Sequence, residues 1–439
     1  MNRISCAFFS LIILVALAGC ASNTISSSIT PTIVAPVTHT PVPQITATTE
    51  TAPAIQTTLT PTPGVNISFL YLSEGNIQQY NLRNWSSEQL SIQSGGAVLQ
   101  AALSPNQRWL AFQDNNELKI VERPFINQPV VIPAIQHDQI RFLFSSNSEL
   151  LAYSDSEGLK VFNILEGTSS LLVTHSTDQS DVSKLRRYFP HQWSPDSEWL
   201  WMDVSHWEGV SHVLAHVRTQ TFHEFTGCYS GTDWFKTSQA FVATVHYSGY
   251  LGCGDDDGIY LVELKNNNHV AEKRIYQETS PSEAWERQPR DIKLSHDSEN
   301  ISFVQLSYSE QTTQSSRLML IDVLSNESKE LDSSQDVITS PIWSTDGRQL
   351  FYTIQEEKKS QVIRLNLESG EKAVVCSLPN SAVLFSDLIN AEWLIAGTII
   401  KSDWDSLYLV NVHNGTVVKV SSLGYDSHVE PFLGVLPPQ

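Results

Sequence analysis

Short apolar runs of four to seven residues, separated by polar turns, follow one another along most of this chain. Within the runs, Val, Ile, Leu, Phe, Tyr and Trp often alternate with polar residues, which is the two-residue period of a β-strand. Almost no stretch has the 3.6-residue spacing of an amphipathic helix. The pattern therefore predicts an all-β protein.

One strand–turn–strand unit is repeated along the chain. Residues 341–352, PIWSTDGRQLFY, contain a short strand, a turn at residues 344–347 and a second strand. The Asp-Gly pair favours a tight hairpin, because Gly adopts positive φ without penalty and Asp bonds its own backbone. The full copies have their turn serine at Ser104, Ser145, Ser194, Ser295 and Ser344, and two degraded copies are centred on Lys236 and Asn390.

The spacing of the copies, between 41 and 59 residues, is typical of four-stranded propeller blades of roughly 40–50 residues. Residues 67–92 are predicted to form three strands and residues 428–436 a single one. Together they would complete one blade and remove the free edge. With seven motif-bearing blades, the sequence predicts an eight-bladed β-propeller closed by the first and last segments of the domain. Seven blades are the alternative, if the copy near Lys236 belongs to a long insertion.

The Ser-Pro-Asp-x-x-x-Leu-x-aromatic unit, seen at Ser194, and the Ile-Tyr-Leu strand that begins at Ile259 resemble the WD40-like (PD40) repeat of TolB-type propellers. The resemblance covers residues 65–439. It departs from the repeat at residues 147–148 and 297–298, which lack the usual Asp-Gly. TolB-type repeats occur in periplasmic scaffold proteins and as gates on serine peptidases, so the resemblance implies the fold and leaves the role open.

The N-terminus is predicted to be a lipoprotein signal peptide, residues 1–19. Arg3 precedes an apolar core at residues 7–18, which is too short for a membrane span of about 20 residues. The tetrapeptide LAGC that ends at Cys20 resembles the lipobox of bacterial lipoproteins. This implies cleavage before Cys20 and lipid attachment to its thiol. An ordinary secretory signal with a chance cysteine is the alternative.

Residues 20–64 are predicted to be the lipidated cysteine and a disordered tether. Between residues 24 and 63 there are 13 Thr and 7 Pro, and Glu50 is the only charged residue. Such a composition cannot supply a packed core. The expected location is therefore the cell envelope, on the extracytoplasmic side of a membrane that the sequence does not identify, with a propeller domain at residues 65–439.

The formal net charge of −20 argues against binding nucleic acid or an anionic membrane through a basic patch. A soluble acidic surface is the simplest interpretation, and a cationic or metal-rich partner is the alternative. Membrane contact would then depend on the lipid anchor. We expect a monomer that binds a protein or a cell-wall component, without a cofactor.

Catalytic signatures are sparse. The sequence lacks the Gly-x-Ser-x-Gly nucleophile elbow and the HExxH zinc motif. Residues 255–257 are three aspartates that could help bind calcium, although a solvated turn is favoured. His212 and His216 lie on one face of a predicted strand and could bind a metal ion together, but a metal site is the less favoured interpretation. We therefore expect no catalytic and no metal site.

The cysteines differ in their predicted roles. Cys228 and Cys253 flank the degraded motif within one predicted blade, and an exported protein can keep disulfides. A bridge between them is favoured, and closing that loop would stabilise the fold by roughly 3 kcal/mol. Cys376 lies in an apolar run and is predicted to be buried.

The tryptophans also differ in their predicted positions, some between blades and some on loops. Trp193 and Trp201 follow strand periodicity and are predicted to pack between blades. Aromatic residues on exposed loops, by contrast, often mark binding surfaces. The candidate interface residues, all placed on predicted loops, are Trp207, Trp234, Trp285 and Trp404.

These features favour a surface-tethered, non-enzymatic propeller that acts as a protein-binding or cell-envelope-binding scaffold. The alternative is an envelope lipoprotein enzyme that acts on a glycan or small substrate at the channel mouth. It would require converging carboxylates such as Asp255, or Asp403 with Asp405. A sensor that passes a signal to a partner is a third hypothesis.

Overall fold

The computed structural model describes residues 67–436, apart from residues 116, 135–139, 178–179, 208, 226, 249–256, 266–268, 279–285, 310–314, 386–387 and 427–429. The signal peptide, Cys20 and the tether therefore lie outside the described residues. The described part of the chain is almost entirely strand, with one 3-10 turn at Val182–Lys184. No helix within these ranges has the length and apolar character needed to cross a membrane.

The strands form eight antiparallel sheets, each the blade of a propeller. From the axis outward, the first four blades are as follows. Blade 1 has β33 (Phe432–Leu436), β1 (Ser68–Ser73), β2 (Asn76–Asn81) and β3 (Ser86–Gln89); blade 2 has β4 (Val98–Leu103), β5 (Trp109–Asp114), β6 (Glu117–Glu122) and β7 (Val130–Ile132); blade 3 has β8 (Arg141–Phe144), β9 (Leu150–Ser154), β10 (Gly158–Asn163) and β11 (Thr168–Thr174); blade 4 has β12 (Arg187–Trp193), β13 (Trp199–His206), β14 (Gly209–His216) and β15 (Thr221–Phe225).

The remaining blades follow the same order. Blade 5 has β16 (Tyr229–Trp234), β17 (Ala240–Val245), β19 (Gly258–Lys265) and β20 (His269–Tyr276); blade 6 has β21 (Glu286–Leu294), β22 (Asn300–Tyr308), β23 (Ser315–Asp322) and β24 (Ser328–Ser334), with β18 (Tyr247–Ser248) beside β21; blade 7 has β25 (Val337–Trp343), β26 (Gln349–Gln355), β27 (Lys359–Asn366) and β28 (Lys372–Pro379); blade 8 has β29 (Ser381–Leu384), β30 (Trp393–Ile400), β31 (Asp403–Asn411) and β32 (Val417–Asp426).

The ring is closed by the two ends of the domain. Strand β33 pairs with β1, with Ser68 opposite Leu436, so the last strand of the chain completes the first blade. The degraded motif near Lys236 forms the turn between β16 and β17 of blade 5. The protein is an eight-bladed β-propeller. The eight-blade prediction is confirmed, and the seven-blade alternative is wrong.

The core lies between the blades. Eight clusters of buried apolar side chains are present, one between each pair of neighbouring blades. Trp193 and Trp201 lie in these layers as predicted, with exposed fractions of 5% and 1%. The ring of Trp201 lies 5.3 Å from that of Phe241 in the next blade. Each blade therefore depends on its neighbours for burial of its apolar faces.

The repeated serine motif builds the turn that follows five of the inner strands, β4, β8, β12, β21 and β25. In blade 4, the Ser194 hydroxyl donates to Asp196, and it accepts the backbone N–H of Trp199 at 2.9 Å. The same two hydrogen bonds occur at Ser104, Ser145, Ser295 and Ser344. The hydroxyl groups of these serines thus form hydrogen bonds within the turns, which agrees with the structural role that the sequence predicts for them.

A second serine links neighbouring turns. Ser148, Ser197 and Ser238 have left-handed backbone conformations, with φ of 63°, 64° and 57°. Each hydroxyl accepts a backbone N–H from the turn of the preceding blade, at 2.8–3.0 Å. The donors are Asn106, Asn147 and Asp196. The serine that replaces the usual glycine thus joins blades 2 to 5 along one face.

The insertion between β17 and β19 of blade 5 reaches the inner strand of blade 6, where β18 pairs with β21. Asp257, at its end, is 1% exposed and accepts from Arg287 at 2.9 and 3.2 Å. The prediction of a solvated turn at residues 255–257 is therefore wrong for Asp257, because its carboxylate is buried in an ion pair. Asp255 lies outside the described residues.

Two cysteines can be placed. Cys228 forms a disulfide, whereas Cys253 lies outside the described residues, so the identity of the partner stays a prediction. Cys376 is a free, buried thiol in β28, as the sequence predicts. Burial raises the pKa of this thiol to about 12, so it acts as a packing residue.

Candidate functional site

The inner strands of neighbouring blades contact one another around the axis. Between those of blades 4 to 8 lies a cavity of about 650 Å³, a volume typical of small-molecule sites. Its wall is formed by parts of β12, β16, β21 and β25, the end of β29, and His296 in the turn after β21. We call it the central cavity.

Four consecutive inner strands are interrupted where they line the central cavity. The register of β12, β16, β21 and β25 shifts at His191, Ser230, Asp291 and Ser340 respectively. Asp291 and Ser340 have φ of 52° and 55°, which is unfavourable for residues other than Gly. Bulges and left-handed residues turn side chains out of the regular alternation, and both concentrate at functional sites.

Asp203 lies behind the cavity wall between two histidines. His191 Nδ1 is 3.2 Å from one carboxylate oxygen of Asp203, and His212 Nδ1 is 3.2 Å from the other, although the second contact lacks hydrogen-bond geometry. Burial raises the pKa of Asp203, but the two histidines beside its oxygens outweigh burial and hold the pKa well below its usual range. Asp203 is therefore an anion that orients His191 toward the central cavity.

His212 is a structural residue. Its Nε2 lies 3.0 Å from the carbonyl oxygen of Tyr229, and because a carbonyl only accepts, Nε2 carries the proton. The ring stacks on Trp201 at 5.2 Å. His216, on the same strand, accepts the backbone N–H of Thr219 at 3.2 Å. The two histidines that the sequence singles out thus have separate protein partners.

The two carboxylates of the central cavity tie neighbouring blades together. One oxygen of Asp233 in β16 accepts the backbone N–H of Leu294 in β21 at 2.8 Å. One oxygen of Asp291 accepts from the Thr339 hydroxyl at 2.8 Å and from the Ser340 N–H at 2.9 Å in β25. These bonds hold the inner strands of blades 5, 6 and 7 in a fixed arrangement.

A lysine and a glutamate complete the charged groups. Lys293 in β21 is exposed and lines the central cavity. Glu430, which precedes β33, is solvent-accessible, yet the protein that surrounds it raises its pKa to about 7, while the charge of Lys293 acts in the opposite direction.

A second concave surface lies beside blade 4, where the 3-10 turn and the β13–β14 hairpin meet. This groove of about 510 Å³ is lined by Val182, Arg186, His206, Trp207 and Val210 among others. Trp207 is 67% exposed, Val210 57% and Val182 42%. The β13–β14 hairpin lies at the end of blade 4 where its inner strand, β12, begins. The wall of the central cavity extends to the other end of the inner strands, where their turns follow. The Trp207 groove is therefore on the opposite face from those turns.

The four candidate interface tryptophans have different positions. Trp207 is exposed as the sequence predicts, and Trp285 lies outside the described residues. The placement of Trp234 and Trp404 on exposed loops is wrong. Trp234 ends strand β16 and is 7% exposed, and Trp404 lies in β31 and is 5% exposed. Both side chains pack in the layers between blades, where a partner cannot reach them.

The carboxylates that the enzyme alternative requires do not converge in the described residues. Asp403 and Asp405 lie in β31, the third strand of blade 8, and neither lines the central cavity. Asp405 accepts hydrogen bonds from Thr398 and Ser406 at 3.3 and 3.0 Å. Sequence reasoning missed His191, Asp203 and Asp291, whose only signal is that each lies in or beside an inner strand.

Comparison with solved structures shows the same fold in other proteins. The chain is similar to a eukaryotic initiation factor, with 11% identity over 85% of this chain and 100% of that one, and a TM-score of 0.51. AztD from Citrobacter koseri has 9% identity over 84% of this chain and 97% of that one, with a TM-score of 0.49. TolB from Acinetobacter baumannii has 14% identity over 72% of this chain and 81% of that one, with a TM-score of 0.35. At 11% identity, the match to the initiation factor shows a similar fold and carries no information about activity.

No protein-family model matches the sequence. No curated protein matches it either.

Proposed function

We propose that this chain is an exported, lipid-anchored, non-enzymatic scaffold that holds a partner protein in the Trp207 groove. The exposure of Trp207, two-thirds of whose surface is open to solvent beside the exposed Val182 and Val210, carries this proposal. Large apolar side chains that are exposed together mark binding surfaces on soluble proteins. Trp and Arg are also the residue types that contribute most to protein interfaces.

The charge around the groove indicates what kind of partner it suits. Lys184, Arg186 and Arg187 lie within four residues of a chain that has 27 basic and 47 acidic residues. Arg186 Nη1 donates to the carbonyl oxygens of Ser183 and Leu185, both at 2.8 Å, so its guanidinium is held at the groove. A partner that presents an apolar anchor flanked by carboxylates would match this surface.

The N-terminal segment supports the location. A lipid on Cys20 would keep the protein at a membrane, and residues 24–63 would separate the propeller from it. A flexible chain of 40 residues would span roughly 35 Å. A propeller tethered in this way would meet partners in the same envelope layer. Its own contact with the membrane would depend on the lipid.

The groove is tested with the full-length chain in detergent and a random peptide library displayed on phage. We expect enriched peptides to contain an aromatic or aliphatic anchor next to Asp or Glu. Trp207→Ala should weaken their binding about 30-fold, the loss of an interface residue worth about 2 kcal/mol, and Arg186→Ala should also weaken it. Leu324→Ala is the matched control, since Leu324 is 88% exposed in blade 6, away from the groove.

A photo-crosslinking residue at position 210 or 324 then tests the groove in cells. We expect an adduct of defined mass at position 210 that disappears with Trp207→Ala. Equal adducts at both positions would contradict the proposal. So would peptides that bind the Trp207→Ala variant as tightly as the original chain, or selected binding to anionic vesicles rather than to peptides.

The anchor is tested separately by Cys20→Ala. We expect this variant to lose incorporation of labelled fatty acid and to move from the membrane fraction to the soluble fraction, because one acyl chain or none gives at most weak membrane binding. Cys376→Ala is the control, since that thiol is buried in β28. Membrane retention of the Cys20→Ala variant without labelled lipid would show that the anchor is something else.

A further inference from the structure

The central cavity is a second candidate site, independent of the Trp207 groove. Its wall contains the interrupted inner strands of blades 4 to 7, at His191, Ser230, Asp291 and Ser340. The register of β4 and of β33 also shifts, but the residues at those bulges are Leu99 and Leu433, and β8 and β29 are regular. The cavity is therefore distinguished by the polar residues at its four bulges, two of which have left-handed φ, and such features concentrate at functional sites.

His191 provides a ring nitrogen for hydrogen bonding. Its side chain is 40% exposed, and its Nδ1 lies against Asp203 Oδ2 at 3.2 Å. An ionised carboxylate accepts hydrogen bonds, so Nδ1 carries the proton in this contact. The bond to Asp203 orients the His191 ring, and Nε2 is the nitrogen left for a ligand.

Asp291 provides a hydrogen-bond acceptor. Thr339 and Ser340 both donate to Oδ2, and in the described part of the chain no hydrogen bond to Oδ1 is found. The side chain is 31% exposed, and its nearest cation, Arg290 Nε, is at 4.0 Å from Oδ2. One carboxylate oxygen thus secures the strand while the other is available to a ligand.

Lys293 adds donors, and apolar groups form part of the wall. Lys293 lines the central cavity two residues after Asp291, and Phe385 borders it from blade 8. Phe385 is fixed by its contact with Trp404, whose ring centroid is 5.1 Å away. The cavity therefore combines acceptors, an ammonium donor and an aromatic face, within the volume of a small ligand.

Charge selects among the ligand classes. A simple anion would approach Lys293 but would also meet the carboxylates of Asp233 and Asp291, and a simple cation would meet Lys293. A neutral ligand that carries many hydroxyl groups can donate to carboxylate, accept from ammonium and pair with the imidazole, because a hydroxyl group both donates and accepts. We propose that the central cavity binds a neutral, polyhydroxylated ligand, a short glycan, through His191, Asp291 and Lys293.

Titration calorimetry of the full-length chain in detergent tests this site with neutral trisaccharides of different linkage: chitotriose, cellotriose and maltotriose. Trigalacturonate serves as the anionic comparison. We expect at least one neutral sugar to bind, with an affinity that changes little with salt, because no net ion pair forms. Asp291→Asn should weaken that binding about tenfold or more, since it replaces an acceptor oxygen in a charge-assisted hydrogen bond.

The Asp291→Asn variant is chosen because Asn tolerates left-handed φ and its amide oxygen can still accept from Thr339 and Ser340, so the fold is kept. His191→Asn keeps an amide to contact Asp203 but has no atom at the position of Nε2, and should weaken binding similarly. Trp207→Ala is the control. It lies in the other groove and should leave sugar binding unchanged.

Three results would overturn the proposal. The first is that none of the neutral sugars binds at millimolar concentration. The second is that binding occurs and is unaffected by both cavity variants. The third is that only trigalacturonate binds, with a steep salt dependence. Because Trp207→Ala affects only the peptide-binding test and Asp291→Asn only the sugar-binding test, failure of one proposal leaves the other intact.

Discussion

The turn serines illustrate how much a single side chain adds to the repeat. At Ser148, Ser197 and Ser238 the backbone has positive φ, where Gly would be less strained. From the sequence, Ser148 is a departure from the usual Asp-Gly turn that the fold tolerates. The structure shows a positive reason for all three serines, because each hydroxyl accepts an N–H from the neighbouring blade. Sequence patterns within one blade cannot contain this information.

Ser197 allows the strain and the hydrogen bond to be separated. Ser197→Ala keeps the strain and removes the acceptor for Asn147 N–H, so we expect the free energy of unfolding to fall by about 1 kcal/mol. Ser197→Gly removes the hydrogen bond and the backbone strain together. Relief of the left-handed strain, about 1 kcal/mol, should offset the lost hydrogen bond, so we expect the free energy of unfolding to stay nearly unchanged. Denaturant unfolding measures both. Equal losses for Ala and Gly would contradict the role assigned to the hydroxyl.

Glu430 makes stability depend on pH. Its pKa in the folded protein, about 7, is above the ordinary value, so folding favours the protonated form. The stability this contributes is present in acid and is lost as pH rises toward 7. We expect Glu430→Gln to match the original chain near pH 4 and to exceed it at pH 8. Because solvent screens an exposed group, we expect the free energies of unfolding of the variant and the original chain to differ by only about 1 kcal/mol at pH 8.

Thermal unfolding at the two pH values measures the difference, and Glu371→Gln, at an exposed glutamate before β28, is the control for removal of a carboxylate. An advantage of Glu430→Gln that is the same at pH 4 and pH 8 would show that the ionisation of Glu430 is not involved.

The tryptophans show the limit of residue-level prediction. Trp193 follows Gln192 at the end of β12, and Trp201 lies in the apolar run of β13, so the burial of both follows from the strand pattern. Trp234 and Trp404 lie close to turns, where the pattern does not distinguish the end of a strand from a loop. Both are buried because a neighbouring blade covers them. Trp207 lies one residue beyond β13 and has no such cover.

At the level of elements, the strands of each blade follow closely from the sequence, whereas the small strand β18 does not. It has two residues, Tyr247 and Ser248, and pairs with a strand about forty residues further along, β21. A two-residue strand has no period to detect. Its pairing depends on the insertion being held near blade 6, to which the Asp257–Arg287 ion pair contributes.

Asp257→Asn tests that contribution. Removing one partner from a buried pair is strongly destabilising, and since Arg287 also lies over the Tyr247 ring at 4.2 Å, we expect a loss of about 2–3 kcal/mol. The amides of Tyr247 and Ser248 should exchange faster with solvent. Glu263→Gln is the control. The ion pair of Glu263 with Lys265 is exposed, so its loss should lower the free energy of unfolding by less than about 0.5 kcal/mol. Unchanged exchange at Tyr247 would show that other contacts hold the insertion.

At the scale of the whole molecule, the ring depends on the pairing of β33 with β1. Leu436 is 1% exposed and packs between blades 1 and 2. We expect Leu436→Ala to destabilise the protein by about 2–4 kcal/mol and to speed hydrogen exchange in β1, because the ring opens where its ends meet. Leu151→Ala, at a fully buried site in blade 3, should cost a similar amount without a selective effect on β1. Equal exchange in β1 for both variants would contradict opening at this closure.

The architecture follows from the sequence: the repeat, the eight blades favoured over seven and the closure by the two ends can be read from strand periodicity and turn chemistry, which are local properties. The lipobox and tether hypotheses also come from the sequence and stay predictions. Which side chains meet depends on the tertiary structure. The ring arrangement and the bulges bring His191 from blade 4 and Asp291 from blade 6 to one cavity, with Asp203 behind His191. Contacts between blades depend on residues about 40–60 positions apart, and local patterns carry no record of them.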